Sequence, residues 1–271
     1  LRLEQLGFLP DDLHRYKEII HHSYGLILIT GPTGSGKTTT LYASLNEIKS
    51  STKNTITLED PVEYRLPFLR QSQVNPAIGF DFAKGLRSVI RQDPDIIMVG
   101  EIRDKETAEV AIHAALTGHL VLSTLHTNDA ASAAVRLINM GIEPFLISSS
   151  LLGILAQRLI RCICKGCRKE QIVKSDVLEK LSLTQDITKF YKGTGCPRCL
   201  NSGYKGRSGI FELLIPNEAI RNLIISRASS EEIVHLASNN GMRTLREGAI
   251  DKLKAEITTP EEVLRVTHTT E

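Results

Sequence analysis

Apolar residues fall along this chain in two alternating rhythms. Leu26-Ile-Leu-Ile29, Thr55-Ile-Thr-Leu58, Ile96-Ile-Met-Val99 and Leu120-Val-Leu-Ser123 are short apolar or β-branched runs. Such runs predict strands buried on both faces. Between them apolar positions recur at helical spacing: Leu13, Tyr16 and Ile19, then Phe82, Leu86, Val89 and Ile90, then the alanine-rich segment from Glu106 to Leu116. Pro10 with Asp11 and Asp12 opens the first helix, and its pattern stops before Gly25. The Thr55 run stops at Glu59-Asp60-Pro61, because proline cannot continue a strand ladder.

The alternation specifies an α/β fold built from crossover units, with a mainly parallel sheet covered on both faces. Ligands of such sheets sit at the carboxyl ends of the strands, so the loops after Ile29, Leu58, Val99 and Ser123 are expected to converge. The longest apolar stretch, Phe145 to Ala156, is interrupted by Ser148, Ser149 and Ser150. It falls short of the roughly 18 apolar residues of a membrane span and is predicted to be a buried helix. Beyond about Arg161 the composition shifts to cysteine, lysine and glycine, and after Ile215 to short helices. The last helix has Thr259 as cap, Pro260 at its first position and Glu262 to complete a capping box. The expected units are 1–160, 161–208 and 209–271.

The loop after Ile29 carries the first chemistry. Gly31, Gly36, Lys37 and Thr38 match G-x-x-x-x-G-K-[ST], with a strand before and a helix after. Glycine backbone at Gly31, Gly34 and Gly36 brings N–H groups close around a phosphate where a side chain would collide. Pro32, Thr33, Ser35 and Thr39 complete the cradle. Lys37 supplies a mobile charge to the β- and γ-phosphates, Thr38 a hydroxyl ligand for Mg²⁺, and the following helix its positive end. A nucleoside triphosphate is the expected substrate.

Two acids are expected beside that loop: Glu59 after the Thr55 strand and Glu101 after the Ile96 strand, which ends in Gly100 where many such enzymes have aspartate. Sequence leaves open which orients water and which supports Mg²⁺. His126 follows the Leu120 strand and is placed to read a γ-phosphate, with His119 behind it or in a simple core contact. Arg87, Arg91 and Arg103 suit phosphate recognition, or else ion pairs with Asp93, Asp95 and Asp104.

Composition adds limits. Of 271 residues 41% are hydrophobic, enough for one large core and a smaller unit. With 33 basic and 31 acidic residues the formal charge is +2, and aromatic residues make up 5%, so no nucleic-acid partner is expected. The chain starts at Leu1 rather than Met, which is read as the start of a fragment. All five cysteines lie between 162 and 199, which argues for a local metal site in a reducing, cytoplasmic setting. Cys164-x-x-Cys167 and Cys196-x-x-Cys199 would supply four thiolates to a closed tetrahedral Zn²⁺ site. Cys162 is left over, with Cys162-x₄-Cys167 as an alternative knuckle.

Together these residues resemble the secretion ATPases of type II secretion and type IV pilus assembly, over nearly the whole chain. The resemblance rests on the loop from Gly31 to Tyr42, Leu58-Glu-Asp-Pro-Val-Glu-Tyr64, Arg91 to Asp104, and Gly118 to Asp129 around His126. Gly100 in place of aspartate is what that family has. The resemblance implies a RecA-like P-loop core with a zinc-binding tetracysteine insert and a C-terminal helical subdomain. It implies a hexameric motor that hydrolyses ATP at the cytoplasmic face of the inner membrane, held there peripherally by secretion or pilus platform proteins. It further implies arginines at or between subunit sites, with Arg87, Arg91, Arg103 and Arg207 in matching positions, and an upstream domain over the nucleotide. The rivals are a nucleic-acid translocase on the same core and a scaffold that binds ATP without turnover.

Overall fold

The computed structural model describes residues 2–173, 175–181, 183 and 189–267. In chain order the elements are α1 (Pro10–Ile20), β1 (Gly25–Thr30), α2 (Lys37–Ile48), β2 (Thr55–Glu59), β3 (Arg70–Gln73), α3 (Phe82–Ile90), β4 (Ile96–Val99), α4 (Lys105–Leu116), β5 (Leu120–Leu125), α5 (Ala130–Asn139) and α6 (Pro144–Ser150). They continue with β6 (Leu151–Ile163), β7 (Arg168–Gln171), α7 (Ser175–Lys180), β8 (Phe190–Gly193), β9 (Tyr204–Leu214), α8 (Glu218–Ile225), α9 (Ser230–Asn239), α10 (Leu245–Lys254) and α11 (Pro260–Thr267).

Seven strands form the main sheet in the order β3-β2-β4-β5-β1-β6-β9. The first six are parallel, and β9 runs antiparallel to β6. Side chains alternate between two cores. Leu26, Leu28, Ile97, Val99 and Val121 pack with Leu86, Ala111, Leu137 and the C-terminal helices. Ile27, Ile29, Ile96, Met98, Leu120 and Leu122 pack with Tyr16, Ile20, Leu41 and Leu45 of α1 and α2. Coverage on both faces is why these strands read as unbroken apolar runs.

The stretch from Phe145 to Ala156 is not one helix. It divides at Ser150/Leu151 into α6 and the start of β6. Periodicity cannot separate a buried helix from a buried strand in an apolar run. Here the open edge of β1 decides it, because Leu26 to Thr30 pair with Leu151 to Ala156 and satisfy the backbone. The polar edge strand β3 had no apolar signal to announce it.

Residues 160/161 and 208/209, where boundaries are expected, fall within β6 and β9. These strands pair from Ile154↔Leu214 to Ile163↔Tyr204 and form one long ribbon. The tetracysteine segment with the β7–β8 hairpin hangs from the outer end of that ribbon. At the last helix the Glu262 N–H donates to Thr259 Oγ1 at 3.2 Å, which is half of a capping box. The Glu262 carboxylate is instead taken by Arg161 and Arg265. Among the described residues no helix is long and apolar enough to cross a membrane.

Candidate functional site

The carboxyl ends of β1, β2, β4 and β5 open into a cavity of about 560 Å³. Gly34, Lys37, Thr38, Glu59, Glu101 and His126 all line it, as does Arg207 from β9. The expected convergence of loops is thus present. β1 is buried throughout and runs into the glycine loop, and α2 starts at Lys37. Two glycines are required by close approach. A Cβ at Gly31 (φ +146°) would sit 2.3 Å from the Gln157 carbonyl oxygen, and one at Gly36 (φ +90°) 2.8 Å from Gln157 Nε2.

Lys37 lies against its own loop, its ammonium donating to the carbonyls of Gly31 (2.8 Å) and Pro32 (3.2 Å). Burial lowers its pKa, partly opposed by the Glu101 charge. Thr38 is exposed and lines the cavity.

The two acids have different surroundings. Glu59 is 3% exposed. It accepts from the Tyr42 hydroxyl, from Thr57 Oγ1 at 2.5 Å and from Gln71 Nε2 at 3.1 Å. Three donors around one buried group fix its orientation at the cavity wall. Burial, together with the hydrogen bond to Glu59 and the Glu59 charge, pushes the Tyr42 phenol well above its ordinary range. Glu101 is held by Arg103 at 2.6 Å and faces His126 Nε2 at 3.5 Å. Gly100 lets these segments meet: a Cβ there would lie 3.3 Å from the Leu58 carbonyl oxygen. Thr124 Oγ1 donates to the Gly100 carbonyl at 2.7 Å, tying the ends of β4 and β5 together. The loop carrying His126 is tied to β1 where Thr127 N–H donates to Thr30 Oγ1 at 2.9 Å.

The remaining candidates part company. His119 sits at the opposite end of β5, bonded through Nδ1 to the Ala114 carbonyl, a structural contact at the end of α4. Arg87 pairs with Glu106 between α3 and α4, and Arg91 reaches Ser88; neither lines the cavity of this chain. The aspartates weighed as their partners do other work: Asp104 caps α4, and Asp95 accepts from Asn54 N–H. Arg103 pairs with Glu101 and approaches Asp60 at 4.0 Å. Sequence reading missed Tyr42 and Gln71 as supports of Glu59, and Gln157 beneath the loop. A polar residue ending the apolar run from Leu151 to Ala156 was the available signal for Gln157.

The four cysteines of the two knuckles come together, with every Sγ within 4.8 Å of the others. Individual separations are 3.8 Å for Cys164–Cys196, 3.8 Å for Cys167–Cys199 and 3.7 Å for Cys196–Cys199. Thiolates at about 2.3 Å from a tetrahedral zinc would be about 3.8 Å apart, so the donor set fits that ion. Cys162 lies outside the cluster, and burial raises its thiol pKa.

A buried parallel strand, a glycine loop, a helix starting at lysine and acids from neighbouring strand ends define a P-loop nucleotide-binding domain. More narrowly, the chain belongs to the type II/IV secretion system protein family, whose model matches residues 1–265. It is 52% identical over 265 residues to the type IV pilus assembly ATPase PilB of Thermus thermophilus, covering 97% of this chain and 30% of that protein. It is 49% identical over 274 residues to the type II secretion system ATPase E of Vibrio cholerae, covering 98% of this chain and 53% of that protein. The chain therefore spans about a third to a half of the curated relatives it matches. Among solved structures, the pilus retraction motor PilT with bound ADP superposes with a TM-score of 0.74 at 31% identity, over 99% of this chain and 67% of that one.

Proposed function

We propose that this chain is the ATP-hydrolysing part of a motor subunit that powers type II secretion or type IV pilus assembly. The observation that carries the reading is the convergence of the glycine loop, Glu59, Glu101 and His126 on one cavity. The names of the relatives and the ADP in the PilT neighbour support it. Lys37 releases the loop carbonyls to take up β- and γ-phosphate oxygens, while loop N–H groups and the start of α2 neutralise the rest. Thr38, with Glu59 and Glu101 across the cavity, presents the hard oxygen donors that Mg²⁺ prefers. That ion would supply charge neutralisation at the phosphates. Glu59 and Glu101 share the orienting of the attacking water and the support of the metal's water shell. His126, within reach of Glu101, reports whether the γ-phosphate is present. Little covalent chemistry is asked of the protein, so catalysis is positioning and charge stabilisation.

Arg207 faces the cavity from within the chain, whereas Arg87 and Arg91 lie outside it on α3 and its end, where they suit a site completed by a neighbouring subunit. On this reading the subunits form a homo-hexameric ring, held at the cytoplasmic face of the inner membrane through platform proteins. The tetracysteine cluster would hold one structural Zn²⁺ and thereby order the β7–β8 module. The test is ATP hydrolysis by the full-length parent with and without the cytoplasmic domain of a secretion-platform membrane protein, and with nucleic acid alongside. Stimulation by the platform domain alone is expected; stimulation by nucleic acid alone, or no hydrolysis at all, overturns the reading.

A further inference from the structure

Phosphate binding by a glycine loop depends on where its N–H groups point, and one side chain outside the loop governs that aim. Gln157 belongs to β6, adjacent to β1, and its side chain is 3% exposed. Its Nε2 donates to the Ser35 carbonyl at 2.7 Å, and its Oε1 accepts from Thr40 Oγ1 at 2.7 Å. The two anchors fix the amide's sense, because a flipped amide would set its oxygen against the Ser35 carbonyl oxygen. The Ser35–Gly36 peptide is not among the cis bonds of the described residues, so it is planar and trans. In such a unit the C=O and N–H point to opposite sides. Drawing the Ser35 carbonyl toward Gln157 therefore leaves the Gly36 N–H on the opposite side of the peptide from that amide, in a loop whose Gly34, Gly36, Lys37 and Thr38 line the cavity.

Two further observations agree. The Gln157 side chain packs so closely beneath the loop that a Cβ at Gly36 would lie 2.8 Å from its Nε2, while one at Gly31 would meet the residue's backbone carbonyl at 2.3 Å. Its second anchor, Thr40, lies one turn into α2 and also donates its N–H to the Gly36 carbonyl at 3.1 Å. Loop and first helical turn are thus held to β6 as one unit.

We propose that Gln157 is a positioning residue of the phosphate site, acting through the Ser35 carbonyl to aim the Gly36 N–H at a nucleotide phosphate. The proposal rests on the nucleotide-binding reading above. Its test is calorimetric titration of the 271-residue chain with Mg-ADP, well below the unfolding temperature. Gln157→Met keeps the side-chain size and removes both hydrogen bonds, so ADP should bind about tenfold more weakly or worse. A residue that only supports the fold would lower the thermal midpoint and leave the ADP affinity of the folded protein unchanged, and that result overturns the proposal. Should Gln157→Met fail to fold, Gln157→Glu and Thr40→Val decide. The first replaces the donor to Ser35 while keeping an acceptor for Thr40; the second keeps the donor to Ser35 and removes the Thr40 hydroxyl, with its bond to Gln157 and its longer 3.4 Å contact to the Gly36 carbonyl. A loss of about tenfold in Gln157→Glu, against less than about threefold in Thr40→Val, is expected. Equal losses overturn the assignment to the Ser35 peptide. Lys37→Ala separates the two levels. If it binds ADP as the parent chain does, the phosphate-site reading itself fails; if it loses ADP while the Gln157 variants do not, only the role of Gln157 fails.

Discussion

The Tyr42 hydroxyl donates to Glu59 Oε2, joining the helix that follows the phosphate loop to the acid at the end of β2. Glu59 is thereby held at the cavity wall by groups from three segments: Tyr42 of α2, Thr57 of its own strand and Gln71 of the edge strand β3.

Tyr42→Phe removes one of these donors and leaves a buried carboxylate oxygen short of a partner, which costs about 1–3 kcal/mol of stability. Hydrolysis by the assembled full-length protein should fall about tenfold, by analogy with the loss of one charge-assisted hydrogen bond in a reacting site. Mg-ADP affinity should stay within about twofold, since the Tyr42 hydroxyl is spent on Glu59 rather than on the glycine loop. Steady-state kinetics beside ADP titration checks this; unchanged kcat would remove Glu59's support from the mechanism.

Lys37→Ala takes away the cation that now bonds the Gly31 and Pro32 carbonyls. Hydrolysis should drop by at least about a hundredfold while circular dichroism stays that of the parent, because phosphoryl transfer rests on this charge. Turnover close to that of the parent protein would refute the phosphate-loop argument.

Metal analysis should find one zinc per chain, and Cys196→Ser with Cys199→Ser should lose it. The β7–β8 hairpin should then exchange its amide hydrogens freely while β1, β4 and β5 remain protected, since a structural zinc site contributes its binding energy to local folding. A metal-free preparation with full protection throughout would dispose of the zinc claim.

Glu262 ties α11 to β6 through Arg161 (2.6 Å) and pairs within its own helix with Arg265 (2.7 Å). Burial alone would raise its carboxyl, but the two guanidinia and the Arg161 N–H outweigh burial and hold it at about 2. An ordinary glutamate, as Glu262 would be in the unfolded chain, titrates near 4.5. A group depressed on folding stabilises fully above its unfolded pKa, so this contribution is present above about 4.5 and is lost as pH falls toward 2. Glu262→Gln should cost about 1–2 kcal/mol at neutral pH, a figure reduced because both guanidinia are half in solvent. The variant should also flatten the loss of stability between pH 5 and 3. Denaturant melts of both proteins across that range measure it, and parallel curves would exclude the pair as an acid-sensitive tie.

Much of the fold is legible in the sequence where the signal is local. The loop from Gly31 to Thr38 announces itself because glycine, lysine and hydroxyl must stand at fixed offsets, and its flanking strand and helix are set by Leu26 to Ile29 and the residues after Lys37. Buried parallel strands such as Ile96 to Val99 show as continuous apolar runs because both faces are covered. The paired knuckles show because two thiolates with two residues between them can share one ion. Glu59 and Glu101 are found by rule, as acids after apolar strands.

Where the signal is not local, sequence reading stops short. Leu151 to Ala156 has the same apolar character whether helical or extended, and only the free edge of β1 draws it into the sheet. Arg87 and Arg207 look alike as arginines near motifs, yet Arg207 reaches the cavity because β9 pairs with β6 and Arg87 turns to Glu106 on a neighbouring helix. Glu262 promises a capping box, but two arginines compete successfully for its carboxylate. The sequence by itself determined the phosphate loop, the strand–helix alternation and the cysteine knuckles, since each is specified by short-range spacing. Only the tertiary structure decided that Tyr42 and Gln71 hold Glu59 and that Gln157 backs the glycine loop. Those contacts depend on the register between strands and helices far apart in the chain, and no local pattern of side chains encodes which distant residue will lie opposite.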